Sequence, residues 1–192
     1  MSSSLVRVNA LIDQAEQSIG KLDVLSKKAL RSAINRALQS GRVAISRATT
    51  GEYHLRQKDV NKNLKVQKAG SGSLLGILTY SGKALPLSSY KVSPRTVNGK
   101  RRSAIRVGVR RGTNEKLDVG FIARVNESNN KGHTGVFVRV TDRRLPITQL
   151  YGPSIPQVVD DESVISAYDE RVTQVLEERF AHEMDRAMKG GR

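Results

Sequence analysis

Cysteine is absent from the 192 residues, and so is tryptophan. Without cysteine there can be no disulfide framework, no thiolate metal site and no cysteine nucleophile, and the absence agrees with synthesis in a reducing cytoplasm. Aromatic residues are only 4% of the chain. A core is feasible from the 38% hydrophobic content, but it must be built from Val, Ile, Leu and Ala. Long apolar runs are missing too. No stretch nears the ~20 apolar residues that cross a bilayer, and the segment from Met1 to Arg7 lacks the apolar run of a signal peptide. The expectation is a soluble protein with no membrane partner.

Acidic residues are the other shortage: 18 against 33 basic, a net charge of +15. The imbalance is uneven. Residues 160–192 hold five basic and nine acidic side chains, a net of −4, which leaves 28 basic against 9 acidic, or +19, on residues 1–159. A field of that sign attracts polyanions, with nucleic acid the default partner. Solubility or an acidic protein partner explains it equally.

What is present patterns as α, then β, then α. Leu30, Ile34, Ala37, Leu38, Gly41, Ile45 and Ala48 recur at spacings of three and four, which predicts a long amphipathic helix over 24–48. Ala29, Ala33 and Ala44 flank that stripe, Lys27, Lys28, Arg31, Arg42 and Arg47 occupy the remaining surface, and Thr49-Thr50-Gly51 is a plausible stop. A shorter helix is expected over 6–18 and another over 56–64, followed by a strand over 65–69 and a flexible break at Gly70-Ser71-Gly72-Ser73. Strands are expected over 74–80, 104–109, 119–125 and 135–140. Ile105, Val107 and Val109 alternate with polar or small residues, as do Val136, Val138 and Val140 with Phe137 and Arg139. Pro146, Pro153 and Pro156 argue against regular structure over 145–157. A last helix is expected from Asp160-Asp161-Glu162, with a stripe of Ile165, Tyr168, Val172, Val175, Leu176, Phe180, Met184, Ala187 and Met188, ended by Gly190-Gly191. The fold class is therefore α+β: a central, mostly antiparallel sheet with a long N-terminal amphipathic helix and a long C-terminal helix. We read it as a single domain, helical over 1–69, β-rich over 74–158 and helical over 160–189.

Catalytic patterns find no support. His54, His133 and His182 are far apart in sequence, and His182 with Asp185 reads as an exposed helical face rather than a metal site. No phosphate loop is present, because Gly70-Ser71-Gly72-Ser73-Leu74 lacks the Lys-Ser/Thr that must follow. The β region holds four acids, Glu115, Asp118, Glu127 and Asp142, too scattered for paired-carboxylate or two-metal chemistry. No serine has a nucleophile-elbow context. Neither an enzyme nor a cofactor is expected.

The basic clusters say more. Lys100-Arg101-Arg102 and Arg110-Arg111 fall at opposite ends of one expected strand, and Arg143-Arg144 precedes the prolines. Each is solvated loop charge or a contact to phosphates. Without interleaved aromatics there is no base-stacking surface, so any DNA contact should run through phosphates, independent of sequence. The candidates are Lys100, Arg101, Arg102, Arg110 and Arg111, with Arg42 and Arg47 on the first long helix.

A sequential block goes beyond composition. Leu85-Pro86-Leu87-Ser88-Ser89-Tyr90-Lys91-Val92 is followed by Gly108-Val109, Gly120-Phe121-Ile122-Ala123 and Gly132-His133-Thr134-Gly135-Val136-Phe137-Val138-Arg139. Last comes Arg144-Leu145-Pro146-Ile147-Thr148-Gln149-Leu150-Tyr151-Gly152-Pro153-Ser154-Ile155-Pro156-Gln157. This order resembles the prophage minor tail protein Z family, the tail-completion proteins of lambda-like phages. Ala33-Ile34-Asn35-Arg36-Ala37, the basic segment after it and the long C-terminal helix resemble the family too. The likeness spans roughly residues 25–188.

The resemblance implies a structural virion protein, made in the host cytoplasm, that completes the tail at its head-proximal end and acts near the end of the packaged genome. It implies a hexameric ring as the oligomer, a tail terminator protein and head–tail connector or tail-tube proteins as partners, and genomic duplex DNA as a possible phosphate contact. Leu145, Pro146, Ile147, Leu150, Tyr151, Pro153 and Ile155 are the subunit-interface candidates, being apolar residues on a backbone that prolines keep from helix and sheet. On that reading Tyr151→Ala and Ile155→Asp block ring formation without unfolding the monomer. The alternatives are that this segment caps the chain's own core, and that the chain is a sequence-independent DNA-binding protein acting outside the virion.

Overall fold

The computed structural model describes residues 5–7, 24–95, 104–125 and 132–189. Its backbone is organised by two long helices. Helix α1, Val24–Glu52, follows the predicted stripe. Leu30, Ala33, Ile34, Ala37, Leu38 and Ile45 are buried, and the cations stay on the outer face. The helix overruns the expected stop. Thr49 is fully buried and the Thr50 hydroxyl donates to the Ser46 carbonyl at 2.9 Å, so packing carries the helix one turn further.

Helix α4, Glu162–Lys189, lies antiparallel against α1. Three contacts fix that direction: Ser32 with Glu183, Gly41 with Tyr168 and Val172, and Tyr53 with Asp161. Val164, Tyr168, Val172 and Val175 form its buried stripe, whereas Met188, expected on that stripe, is 69% exposed. The crossing depends on a glycine. A Cβ on Gly41 would sit 2.5 Å from the Tyr168 ring and 2.6 Å from Val172. Burying each Val- or Leu-sized side chain contributes about 1.5–3 kcal/mol, so this seam, more than helix propensity, holds both helices.

Instead of one central sheet, the described residues form four small antiparallel sheets. In the first, β3 (Ile77–Tyr80) lies between β1 (Leu5–Arg7) and β2 (Leu64–Gln67). Leu78 and Tyr80 point into the helices. Only residues 6 and 7 of the helix expected over 6–18 are described, and they are strand. The short helix α2, Gln57–Asn61, forms as expected and buries Val60. In the second sheet, β4 (Ala84–Pro86) pairs with β11 (Tyr151–Ser154). The third contains β5 (Lys91–Ser93), β6 (Ile105–Gly108) and β7 (Glu115–Leu117). The fourth contains β8 (Phe121–Val125), β9 (His133–Arg139) and β10 (Ile147–Gln149). Strand β6 alternates as its sequence predicts, with Ile105 and Val107 buried and Arg106 exposed. Strand β9 does not. Gly135, Val136 and Phe137 are all buried, Phe137 against the rings of Phe121 and His133, while Val140 lies beyond the strand and is 58% exposed.

The proline-bearing segment overturns its expectation. It is regular: β10, β11 and then helix α3, Ile155–Val159. Each proline stands where no backbone N–H is needed. Pro146 precedes β10, and Pro153 lies in a strand with one hydrogen-bonded neighbour, where proline is tolerated. Pro156 occupies the first turn of α3, whose N–H groups have no intrahelical partner. Ser154 closes a capping box with Gln157, which starts that helix.

Candidate functional site

Among the described residues, a cluster of unpaired positive charge lies between α1 and α4. A cleft of about 810 Å³ opens along residues 28–39 of α1, beside Lys68 and the last turns of α4. Helical periodicity puts Lys28, Arg31, Ser32, Asn35, Arg36 and Gln39 along one wall. The second wall is held by a two-way clamp: the Asn35 amide donates to the Ala69 carbonyl at 3.1 Å and accepts from the Ala69 N–H at 2.9 Å. Ala69 packs with Leu30 and Ile34, which brings Lys68 to the cleft. From α4 come Glu183, Arg186 and Ala187. Five basic side chains therefore surround one carboxylate. Glu183 is already engaged, accepting from the Ser32 hydroxyl at 3.1 Å with Arg186 3.8 Å away.

The phosphate candidates named from sequence fare differently. Lys100, Arg101 and Arg102 lie outside the described residues. Arg110 is half-exposed but already engaged: it pairs with Asp161 and its guanidinium sits 5.4 Å from the centre of the Tyr53 ring. Arg111 Nε donates to the Thr50 carbonyl at 2.8 Å and its backbone N–H to the Glu52 carbonyl at 2.7 Å. It thereby covers the negative end of α1, a favourable place for a cation. Arg42 Nε reaches Asn61 at 3.4 Å, and Arg47 is exposed.

Asp161 ties this end together. It accepts from the backbone and hydroxyl of Ser163 at 3.1 and 2.7 Å, which caps α4, and from the Tyr53 hydroxyl at 2.8 Å. The Ser163 hydroxyl, then that of Tyr53, holds its carboxyl below the ordinary carboxylate range. Burial, then the hydrogen bond to Asp161, pushes Tyr53 up. His54 nearby is pushed down, by burial first and then by Lys91 and Arg111.

The interface candidates split. Leu145 and Tyr151 are 65% and 55% exposed, and Pro146 is exposed with them. Ile147 is half-buried in β10, and Leu150 is half-buried against the cluster of Leu87, Val92, Ile105, Val107 and Val136. Pro153 is half-buried, and its carbonyl accepts from the Tyr90 hydroxyl at 2.7 Å. Ile155 corrects the expectation outright. It is 5% exposed, within the main core beside Val158 and Val159, because the capping box turns the chain inward there.

Among the described residues no group of three His, Asp or Glu side chains could hold a metal ion, and no helix is long and apolar enough to cross a membrane. The family model for prophage minor tail protein Z (GPZ) matches residues 12–191, nearly the whole chain. The chain belongs to that family. Membership makes it a structural protein of the bacteriophage tail, located in the virion. No curated protein and no solved structure matches it. The cleft was missed from sequence because Lys68 and Arg186 are remote from α1 along the chain. The only signal was the cationic outer face of α1 itself, where Arg42 and Arg47 were preferred to Lys28, Arg31 and Arg36.

Proposed function

We propose that this chain completes the tail at its head-proximal end, as one subunit of a ring that joins tail to head and positions the genome end. The family match over residues 12–191 carries the reading. Two features of the molecule support the finer statement. The body is strongly basic while residues 160–192 are net acidic, so adjacent copies can present opposite charges to each other. The turn between β9 and β10 ends in exposed apolar groups, Val140 and Leu145, with Tyr151 exposed shortly after it. Large apolar side chains left in water commonly mark an interaction site when they gather. In this arrangement the tail terminator and the head–tail connector or tail tube are the neighbours above and below.

The test is assembly. Negative-stain imaging of the purified protein, alone and mixed with a tail terminator, should show closed rings, with six copies expected. The double variant Leu145→Asp/Tyr151→Ala should remain folded and fail to form them. Monomers under every condition, with DNA binding intact, would favour a DNA-binding protein acting outside the virion.

A further inference from the structure

The cleft between α1 and α4 holds more positive charge than the fold uses. Arg56 is paired with Asp59, Arg110 with Asp161 and Lys189 with Asp185. Among the described residues no carboxylate pairs with Lys28, Arg31, Arg36 or Lys68, and the lone acid of the lining is taken up by Ser32 and Arg186. Unpaired cations around one cleft repel one another, and a bound polyanion relieves that repulsion. Arg31 is half-buried, so part of its charge is held against the protein rather than spread into water.

We propose that this cleft seats the phosphate backbone of double-stranded DNA, with one strand running along α1 from Lys28 towards Gln39. From 28 to 39 the helix rises about 16 Å. Five basic side chains line the cleft. The donors are guanidinium forks, ammonium groups and the Gln39 amide, all suited to phosphate oxygens. No aromatic side chain lines the cleft, so it offers no platform for unstacked bases, which selects a duplex over a single strand. Binding is independent of sequence. The choice of DNA over an acidic protein surface rests on the tail reading above, because a tail conducts the genome. The seat differs from the one the sequence suggested at Arg110 and Arg111, which are engaged by Asp161 and by the Thr50 carbonyl at the end of α1.

The experiment titrates a labelled random duplex with the purified full-length protein between 50 and 200 mM salt. It compares wild type with Arg31→Ala/Arg36→Ala/Lys68→Ala and with a charge-matched control, Lys58→Ala/Lys65→Ala/Lys83→Ala. Circular dichroism melts confirm that all three are folded. The cleft variant should bind about tenfold or more weakly at 50 mM salt. Its slope of log affinity against log salt should shrink by about 2.7, roughly 0.9 for each cation removed, while the control loses less than about one. Equal losses in both variants, no wild-type binding, or displacement by polyglutamate as readily as by unlabelled duplex would each overturn the proposal. Mass spectrometry of purified tails separates the two readings. A protein present in tails but indifferent to duplex sinks only the cleft, whereas one absent from tails sinks the tail reading.

Discussion

Replacing Asp161 should loosen the joint between the two long helices, and its contacts bound the effect. The side chain is 16% exposed and serves three partners. As the cap of α4 it is worth about 1 kcal/mol. As a charged acceptor for the Tyr53 hydroxyl it is worth about 1.5–3 kcal/mol. The Arg110 pair adds under about 1 kcal/mol, because the arginine side chain is 49% exposed and water screens it. These terms overlap, so Asp161→Ala should cost about 2–4 kcal/mol, a fall in Tm of roughly 5–15 °C for a chain of this length. Asp161→Asn keeps a capping oxygen and an acceptor for Tyr53, and should cost about 1 kcal/mol.

The pH dependence follows from the sign of the shift. The folded carboxyl titrates below its unfolded value, so its stabilisation is complete above about pH 4. It is lost as pH falls through the lower folded value. The gap between wild type and Asp161→Asn should therefore be constant from pH 5 to 7 and close below about pH 4. Urea melts at several pH values read this directly. An alanine variant within about 0.5 kcal/mol of wild type, or an asparagine variant as damaged as alanine, would refute the reasoning.

Two further substitutions test the packing. Gly41→Ala gains about 1 kcal/mol of helix propensity, but the new methyl meets Tyr168 and Val172 at 2.5 and 2.6 Å, an overpacking cost of about 1–3 kcal/mol. It should leave stability unchanged or lower by up to about 2 kcal/mol. Gly51→Ala, with nothing within 4 Å, should be neutral or stabilising, and a stabilised Gly41→Ala would show that the helices cross less closely than described. Ile155→Asp should lose about 3 kcal/mol or more by placing a charge in the core. Tyr151→Ala should stay within about 0.5 kcal/mol of wild type, so a soluble, fully folded Ile155→Asp would contradict the burial of that side chain.

Much of this fold was readable in advance because its helices obey a simple period. Leu30 to Ile45 and Tyr168 to Val175 each repeat at three and four, and one buried seam satisfies both, though Val164 rather than the expected Ile165 is the buried residue at its start. Strand β6 was readable for the same reason, since one of its faces is wet. Strand β9 forms where expected, but its alternation fails because both its faces are covered at Val136 and Phe137. The proline segment was misread because local rules forbid proline only where an N–H must be donated, and the fold places Pro153 and Pro156 where none is. The candidate site was the least legible part. Arginines at 110 and 111 look free in sequence, but the Asp161 carboxylate and the end of α1 that claim them are brought near only by the packed chain.

The chain is a tail protein, and its proposed place is the end of the tail that meets the head. Cryo-electron microscopy of purified tails should find the α1–α4 pair repeated as a ring at the head-proximal end, with the cleft turned towards the lumen. Rings found only at the distal tip, or tails lacking the protein altogether, would contradict the account.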